Sequence, residues 1–288
     1  MTESLSCYLC GKGGKDEFMK RDGKVRDNPI LDIFECLSCG LVFLSSFDHI
    51  HTDFYQEARM HGEPGDIETW LKDSAWDDDR RFIFLKHVIA NKSVLDFGCG
   101  AGGFLTRTRT TSSHVAGVEV EMRLKPHFRK EGLEVFTDIA EVKGLFDIIT
   151  LFHVLEHMND PITLLMRLSE KLNEDGQMIV EVPSADDALL RLYTSAPFSQ
   201  FTYWSCHLFL FTIGTISRIA EKAGLKVNYI KQVQRYPLSN HLFWLAKGKP
   251  GGHKIWNFLD SEELHRSYEK QLASIGLCDT ILACFSKP

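Results

Sequence analysis

The stretch "VLDFGCGAGGF", Val94 to Phe104, decides the fold of this 288-residue chain. An apolar, strand-like run leads directly into a loop rich in glycine. Glycine removes the side chains that would keep a ligand away from the backbone, and it adopts backbone angles that other residues avoid. We therefore expect a ligand to lie close to this loop. The glycines are Gly98, Gly100, Gly102 and Gly103.

Strand and helix patterns alternate from this stretch to the end of the chain. Seven segments have the length and apolar character of β-strands: "SVLDFG", "HVAGVEV", "LEVFTD", "FDIITLF", "GQMIVEVP", "LKVNYIKQVQ" and "DTILACFS". Helical patterns lie between them, notably "DPITLLMRLSEKLNEDG" and "TIGTISRIAEKAG". The alternation predicts an α/β fold with a doubly wound, mostly parallel sheet over residues 92–288. Residues 46–91 are predicted to form a helical connector, and residues 1–45 a small separate unit.

The glycine spacing by itself leaves the ligand open. Gly98, Gly100 and Gly103 match the fingerprint of dinucleotide-binding proteins, so an oxidoreductase is one alternative. A P-loop is excluded because no Gly-Lys-Ser/Thr follows the glycines. Asp96, two residues before Gly98, would repel a pyrophosphate and would tolerate a cation.

Two further acids lie at predicted strand ends. Glu119 ends the second strand, where a carboxylate can accept hydrogen bonds from ribose hydroxyls. Asp138 ends the third, where it can accept from an adenine amino group. Together with Asp96, these acids suit a nucleoside that carries a positive centre. S-adenosylmethionine is such a molecule.

Over residues 94–288 the chain resembles the class I S-adenosylmethionine-dependent methyltransferases. "VLDFGCGAGGF" is similar to their first motif, "GVEVE" to their second acidic strand end, and "TDIAEV" to their adenine contact. "FDIITLFHVLEHMNDP", "LSEKLNEDGQMIVEVP" and "KAGLKV" follow in the order of the family's later motifs. The resemblance implies a seven-stranded Rossmann-like sheet whose last strand is antiparallel.

The resemblance also implies roles for individual residues. The loop would shape the methionine pocket, Glu119 would hold the ribose, Asp138 with Ile139 the adenine, and Phe152 with His153 the sulfonium side. The expected cofactor contacts are Asp96, Phe97, Gly98, Gly100, Gly102, Glu119, Val120, Asp138, Ile139, Phe152 and His153.

Four of the eight cysteines form two C-x-x-C pairs near the N-terminus, each followed by glycine. Such pairs indicate a metal site rather than disulfides in a reducing compartment. Four thiolates suit a closed, tetrahedral, structural zinc site in a small zinc ribbon. A redox pair is the alternative, although it would not require two copies. The predicted ligands are Cys7, Cys10, Cys36 and Cys39.

A zinc ribbon joined to this fold resembles a methyltransferase subgroup that includes sugar C-methyltransferases and polysaccharide-pathway relatives. Those sugar enzymes carry an additional C-terminal domain and a Tyr-His-Glu-His segment. We expect no such domain here, and this chain has "WSCHLF" at the place that corresponds to the Tyr-His-Glu-His segment. His207 is retained, and Cys206 stands where the glutamate would be, so this departure argues against C-methylation.

Methyl transfer from a sulfonium depends mainly on aligning the acceptor, and a base near neutral pKa helps a hydroxyl or amine to react. Histidine is the natural base. The catalytic candidates are His207, His153 and His157, with His241 as a further possibility. A structural role is the alternative for His157 and His207. The spacing of His153 and His157 also resembles a metal pair, but no further ligand is evident.

Two further segments follow the fifth predicted strand. "FSQFTYW" supplies Phe198, Phe201, Tyr203 and Trp204, which form either core or a wall for a sugar or ring. The basic segment 235–254 contacts either the diphosphate of an activated sugar or only solvent.

The formal charge of −6 disfavours a dedicated nucleic-acid partner, as do six basic and seven acidic residues in positions 1–40. No signal peptide or long apolar run is evident, so a cytoplasmic protein is expected. We predict methylation of a small-molecule hydroxyl, most simply on a sugar or nucleotide-activated glycan precursor. The alternatives are a zinc-ribbon ribosomal-RNA methyltransferase, a sugar C-methyltransferase, a dinucleotide oxidoreductase and a binding protein without turnover.

Overall fold

Two β-sheets organise the chain in the computed structural model, which describes residues 5–51, 54–56 and 66–288. The strands in chain order are β1 (Phe18–Lys20), β2 (Ile33–Cys36), β3 (Val42–Leu44), β4 (Ser93–Phe97), β5 (His114–Val118), β6 (Glu134–Phe136), β7 (Phe146–Phe152), β8 (Leu172–Pro183), β9 (Phe209–Leu210), β10 (Lys226–Val233) and β11 (Thr280–Ser286).

The larger sheet has seven strands in the order β10-β11-β8-β7-β4-β5-β6. β4 to β8 are mutually parallel, whereas β11 runs antiparallel to both β8 and β10. Every one of the seven predicted segments forms one of these strands, so the prediction of an α/β methyltransferase-type sheet with a late antiparallel strand is confirmed. The central strands β7 and β11 are buried along almost their whole length and have nearly continuous apolar sequences, which made them recognisable.

Ten α-helices are present in the described residues. They are α1 (Ile67–Leu85), α2 (Gly103–Thr108), α3 (Lys125–Glu131), α4 (Pro161–Ser169), α5 (Ala188–Arg191), α6 (Ala196–Ser199), α7 (Ile213–Lys222), α8 (Leu238–Lys247), α9 (Gly252–Ile255) and α10 (Glu262–Ser274). α7 begins with a capping box at Thr212 and is followed by Gly224 in the left-handed region, as expected for a helix end. α4 ends earlier than predicted, because β8 already begins at Leu172.

The predicted connector contains α1. Its N-cap is Asp66, whose carboxylate accepts a hydrogen bond from the amide of Thr69 at 3.3 Å. The helix therefore begins before the acidic segment "DSAWDDD" that suggested it. Residues 57–65, which belong to the predicted connector, lie outside the described residues.

The smaller sheet crosses the predicted domain boundary, because it contains strands from both sides of it. Its order is β1-β2-β3-β9, and β9 comes from beyond residue 200. Val42 pairs with Leu210 and Phe43 with Phe209, and side chains of both units share one hydrophobic core. The limits at residues 45 and 91 stay predictions, but the N-terminal unit packs as part of the larger body.

The basic segment 235–254 is not a solvated loop, and that interpretation was wrong. It forms α8 and α9, and α8 buries Phe243 and Trp244. Arg235 is paired with Asp77 of α1, with 3.0 Å between its Nε and the carboxylate. No helix in the described ranges has both the length and the apolar character needed to cross a membrane.

Candidate active site

The glycine loop turns sharply after β4. Gly98, Gly100 and Gly102 have φ angles of 76°, 52° and 80°, in the left-handed region that side chains make costly. A Cβ at Gly98 would lie 2.4 Å from Cγ2 of Val154, closer than two carbon atoms can approach. The loop thus requires glycine at this position for both its backbone angle and its packing.

A cavity of about 700 Å³ begins at this loop and ends among aromatic side chains. Its volume lies in the range of small-molecule and cofactor sites. The structure brings most of the predicted site residues together in its wall: Asp96, Phe97, Gly98, Gly100, Glu119, Val120, Phe152, His153, His157 and His207.

Glu119 fastens the loop from the end of β5. One carboxylate oxygen accepts from the amide of Gly100 at 2.8 Å, and the other accepts from the amide of Glu121 at 2.9 Å. Burial raises the pKa of Glu119. The hydrogen bonds from backbone amides oppose this effect, but burial is the larger of the two, and the net shift is upward. A carboxylate oxygen can accept more than one hydrogen bond, so Glu119 retains capacity for ribose hydroxyls.

Asp138 and Ile139 are not among the residues that line this cavity, and the adenine contact expected of them stays a prediction. The carboxylate of Asp138 turns back to accept from the amide of Ala140 at 2.8 Å, and it forms an exposed ion pair with Arg167 at 3.3 Å. Ile139 is buried in the main core. Gly102 serves as the N-cap of α2, and its neighbour Gly103 lines the cavity instead.

Asp96 is almost completely buried at the end of β4, where its carboxylate accepts from the hydroxyl of Thr150 at 2.7 Å. Burial raises the pKa of Asp96 to about 7, although this hydrogen bond opposes the shift. Within the described residues, the hydrogen bonds to Asp96 and Glu119 come from a hydroxyl and from backbone amides. The two carboxylates thus form an acidic lining that fits a cationic ligand.

His153 is held in an unusual backbone conformation, with a φ angle of 56°. Its Nδ1 lies 3.2 Å from the carboxylate of Glu156, and its Nε2 lies 3.3 Å from that of Glu181. Arg235 approaches Nε2 to 3.1 Å. A left-handed non-glycine residue persists only where its surroundings hold it in place, and such residues concentrate at functional sites.

Sequence reasoning missed Glu181, which lies fully buried in β8. Arg80 and Arg81 of α1 donate to its carboxylate at 2.7 to 3.0 Å. Burial would raise the pKa of Glu181, but the charge of Arg81 and its other partners hold it well below the usual value. The sequence signal that could have identified Glu181 is its position as the one acid in the apolar run "MIVEVP". This ion pair fixes α1 over the cavity.

His157 and His207 lie side by side in the cavity wall, with ring centroids 4.9 Å apart. Nδ1 of His157 is 2.7 Å from the carbonyl oxygen of Cys206, so this nitrogen carries the proton and donates. Burial lowers the pKa of His157, and burial together with the nearby His157 lowers the pKa of His207 to about 3. Both rings are therefore neutral at physiological pH, and a pKa this low makes His207 a weak general base.

The far end of the cavity is aromatic. Phe198, Phe201, Trp204 and Trp244 line it, whereas Tyr203 is buried in the core. Arg26 reaches this wall from the N-terminal unit, and its guanidinium lies 4.7 Å from the Phe201 ring and 4.2 Å from the Trp204 ring. The sequence did not identify Arg26 as a site residue, because no sequence pattern connects it to the aromatic segment that begins about 175 residues later.

The four N-terminal cysteines form one cluster. Their sulfur atoms all lie within 4.8 Å of one another, and Cys7–Cys39 and Cys10–Cys36 are both 3.5 Å apart. These distances exclude disulfides, in which the sulfurs are about 2 Å apart. Thiolates at about 2.3 Å from a tetrahedral zinc ion are separated by about 3.8 Å. The cluster therefore fits a zinc ion.

Residues 69–230, more than half of the chain, match the model of a family described as a methyltransferase domain. The chain belongs to this family. Membership makes it an enzyme of the S-adenosylmethionine-dependent methyltransferase class, and the acidic lining beside the glycine loop fits that cationic cofactor.

Curated relatives match this methyltransferase domain at low identity. The ubiquinone biosynthesis O-methyltransferase of Marinobacter nauticus is 27% identical over 105 residues, which are 32% of this chain and 44% of that protein. The Aeromonas salmonicida enzyme of the same name is 24% identical over 171 residues, 54% of this chain and 71% of that protein. The tRNA U34 carboxymethyltransferase of Shewanella putrefaciens is 27% identical over 134 residues, 42% of this chain and 39% of that protein. The chain thus spans less than half of the first of these relatives.

Solved structures share the fold. A methyltransferase from Thermotoga maritima has a TM-score of 0.51 and 17% identity, with 84% of this chain and 100% of that chain covered. Magnesium protoporphyrin IX methyltransferase from Synechocystis has a TM-score of 0.50 and 11% identity, with 82% of this chain and 97% of that chain covered.

Asp96 is predicted to make cofactor affinity depend on pH. With its pKa at about 7, the ionised fraction rises from about one tenth at pH 6 to about three quarters at pH 7.5, so affinity for the cationic cofactor should rise about fivefold to tenfold. Calorimetry with S-adenosylmethionine across this range measures the change. Asp96→Asn should abolish the rise, whereas Asp138→Asn should keep it. An unchanged pH profile in Asp96→Asn would show that another group is responsible.

The same shift has a consequence for stability. The pKa of Asp96 in the folded state lies above its unfolded value of 3.8. Its contribution to folding is therefore fully present below about pH 4 and is lost as the pH rises through about 7. Without cofactor, Asp96→Asn should raise the melting temperature more at pH 8 than at pH 5.

Proposed function

We propose that this enzyme transfers the methyl group of S-adenosylmethionine to a hydroxyl of a small, ring-bearing acceptor. A sugar or nucleotide-activated glycan precursor is the class that the sequence resemblance favours. The observation that carries the proposal is one continuous cavity, which joins the glycine loop and its carboxylates to an aromatic wall. The named O-methyltransferase relatives support oxygen as the acceptor atom.

The chain's own residues supply binding and alignment. The loop at Gly98 and Gly100 would receive the methionine part of the cofactor, with Asp96 facing its positive charge and Glu119 accepting from the ribose. When bound, the cofactor supplies a methyl group on a sulfonium, which reacts with a correctly placed nucleophile. The main task of the protein is then to hold the acceptor oxygen in line and to exclude water.

The aromatic wall would position the acceptor. Phe201 and Trp204 offer flat faces to a ring, and Arg26 offers guanidinium N–H groups to an anionic substituent such as the diphosphate of an activated sugar. The negative overall charge gives no broad electrostatic attraction for RNA. We therefore propose a small molecule rather than tRNA as the acceptor.

We also propose a structural zinc ion in the four-cysteine cluster. All four positions of a tetrahedral ion are taken by sulfur, which leaves none open for catalysis. Its role is to hold together a small sheet that supplies Arg26 to the cavity.

A two-stage experiment tests the proposed function. Calorimetry should show binding of S-adenosylmethionine and of S-adenosylhomocysteine, with no binding of NAD. Radiolabelled cofactor is then incubated with nucleotide sugars, free sugars, catechols and bulk tRNA, and labelled products are counted. Label in the sugar fraction supports the proposal. Label confined to the catechols would exclude the sugar class, and label confined to tRNA would overturn the small-molecule assignment.

Shortening the aromatic wall should affect the acceptor and leave the cofactor unchanged. Trp204→Ala removes a ring that faces both the cavity and Arg26. We expect the acceptor KM to rise about tenfold or more, because a lost aromatic contact costs about 1–2 kcal/mol. Phe258→Ala, which truncates an exposed aromatic outside the cavity, is the matched control. Equal changes in KM for the two variants would show that the wall does not bind the acceptor.

A further inference from the structure

Three potential metal ligands meet at the floor of the cavity. Nitrogens of His157 and His207 and the sulfur of Cys206 all lie within 4.8 Å of one another. The two histidines line the cavity, whereas the thiol of Cys206 is buried and is not part of the lining. The group is separate from the four N-terminal cysteines, and it combines nitrogen and sulfur donors, which zinc and similar metals prefer.

The hydrogen bonding of His157 prepares it to bind a metal. Its Nδ1 donates to the carbonyl oxygen of Cys206 at 2.7 Å, so Nε2 carries the lone pair. Histidines that bind metals nearly always donate their other ring nitrogen in this way, because that bond fixes the tautomer and orients the ring. The acceptor belongs to Cys206, so one bond connects two of the three ligands.

Glu156 adds a negative charge beside this group. Its side chain is fully buried, one oxygen lies 3.2 Å from His153, and the other has no hydrogen-bond partner among the described residues. The backbone carbonyl of Glu156 accepts from the amide of Leu208, which joins it to the segment that carries Cys206 and His207. A buried carboxylate oxygen without a partner is costly unless a positive charge lies nearby.

We propose that His157, Cys206 and His207 bind a divalent zinc-class cation that leaves one coordination position open to the cavity. Three nitrogen and sulfur ligands with one open position are typical of catalytic rather than structural zinc. Binding displaces the proton of the Cys206 thiol, and the ion compensates the charge of Glu156.

The open position would take the acceptor hydroxyl, a role that rests on the proposed function. Coordination would lower the pKa of the hydroxyl, so its proton would be released to bulk solvent. The oxygen then forms a bond to the methyl carbon as the carbon–sulfur bond breaks, and the electron pair of that bond stays on sulfur. An ether and a neutral thioether result, and no oxidant or reductant is needed. A metal in this position replaces His207 as the activating group.

Metal analysis of the full-length protein tests the site directly. The protein is saturated with zinc, dialysed and measured by elemental analysis against protein concentration. We expect one metal ion per chain beyond the ion of the four-cysteine cluster. Co²⁺ added as a probe should give visible bands of tetrahedral cobalt whose thiolate charge-transfer intensity exceeds that of Cys206→Ser, in which only the four-cysteine cluster supplies thiolates. A protein that holds no metal beyond the ion lost in Cys36→Ser overturns the proposal.

Variants assign the ligands. Cys206→Ser and His207→Asn should each lose one metal equivalent, and Cys206→Ser should also remove the charge-transfer band contributed by this site. Cys278→Ser changes a buried cysteine elsewhere in the fold and should lose no metal. Retention of the additional ion in both Cys206→Ser and His207→Asn would overturn the assignment. Wild-type stoichiometry alone remains decisive if a variant does not fold.

Calorimetry with S-adenosylmethionine separates this inference from the proposed function. Cofactor binding without an additional metal ion rejects the metal site and leaves the methyltransferase assignment intact. An additional metal ion in a protein that does not bind the cofactor supports the site and rejects the proposed function.

Discussion

Cys36→Ser should release the metal of the four-cysteine cluster and unfold the N-terminal sheet. Zinc binding contributes on the order of 10 kcal/mol to comparable small folds at neutral pH, so its loss should outweigh the packing of this sheet against the shared core. Cys36 is buried, and its sulfur lies 3.5 Å from that of Cys10. Elemental analysis and thermal unfolding monitored by circular dichroism measure the two losses.

The consequences should extend to the acceptor end of the cavity. The amide of Arg26 donates to the carbonyl of Tyr203 at 3.0 Å, and β3 pairs with β9. Loss of the N-terminal sheet therefore removes Arg26 from the aromatic wall, whereas the glycine loop on the larger sheet keeps its support. We expect the acceptor KM to rise at least tenfold, while cofactor affinity changes less than threefold.

Cys278→Ser is the matched control for this experiment. It replaces a buried cysteine near α10, away from the cluster, and should keep both metal and acceptor binding. Full metal retention at the cluster in a Cys36→Ser, Cys39→Ser double variant would contradict the four-cysteine site. Equal losses of acceptor and cofactor binding would contradict the proposed route through Arg26.

Glu119→Ala should weaken S-adenosylmethionine binding about 30-fold to 150-fold, because hydrogen bonds to a charged group contribute about 2–3 kcal/mol. The structure gives a second reason for the weaker binding, in addition to the expected loss of the ribose contacts. The same carboxylate holds the amides of Gly100 and Glu121, so its removal also releases the loop. Isothermal titration calorimetry measures the affinity.

Two comparisons separate these contributions. Glu119→Gln keeps a side-chain oxygen near the loop but loses the charge, so it should bind more tightly than Glu119→Ala. Hydrogen exchange at the amide of Gly100 reports release of the loop directly. Glu134→Ala, on the neighbouring strand, changes an exposed acid paired with His114 and should leave affinity unchanged. Wild-type affinity in Glu119→Ala would show that this carboxylate does not contact the cofactor.

The sequence alone was enough to predict the seven strands of the large sheet, the glycine turn and the four-cysteine cluster. These features are encoded locally. Buried strands need apolar runs, left-handed turns need glycine, and the two C-x-x-C pairs each present two sulfurs from one short turn. Family membership follows from the order of such local features along the chain.

Only the tertiary structure decided which distant side chains meet. Glu181 contacts arginines 100 and 101 residues earlier, and His157 contacts the carbonyl of a cysteine 49 residues later. The local hydrogen bond of Asp138 was also visible only there, because its carboxylate accepts from the amide of Ala140 and caps a short turn. Strand order and helix packing bring these groups together or keep them apart, and neither leaves a periodic signal in the sequence. The cavity, its aromatic wall and the His157–Cys206–His207 group are therefore properties of the fold.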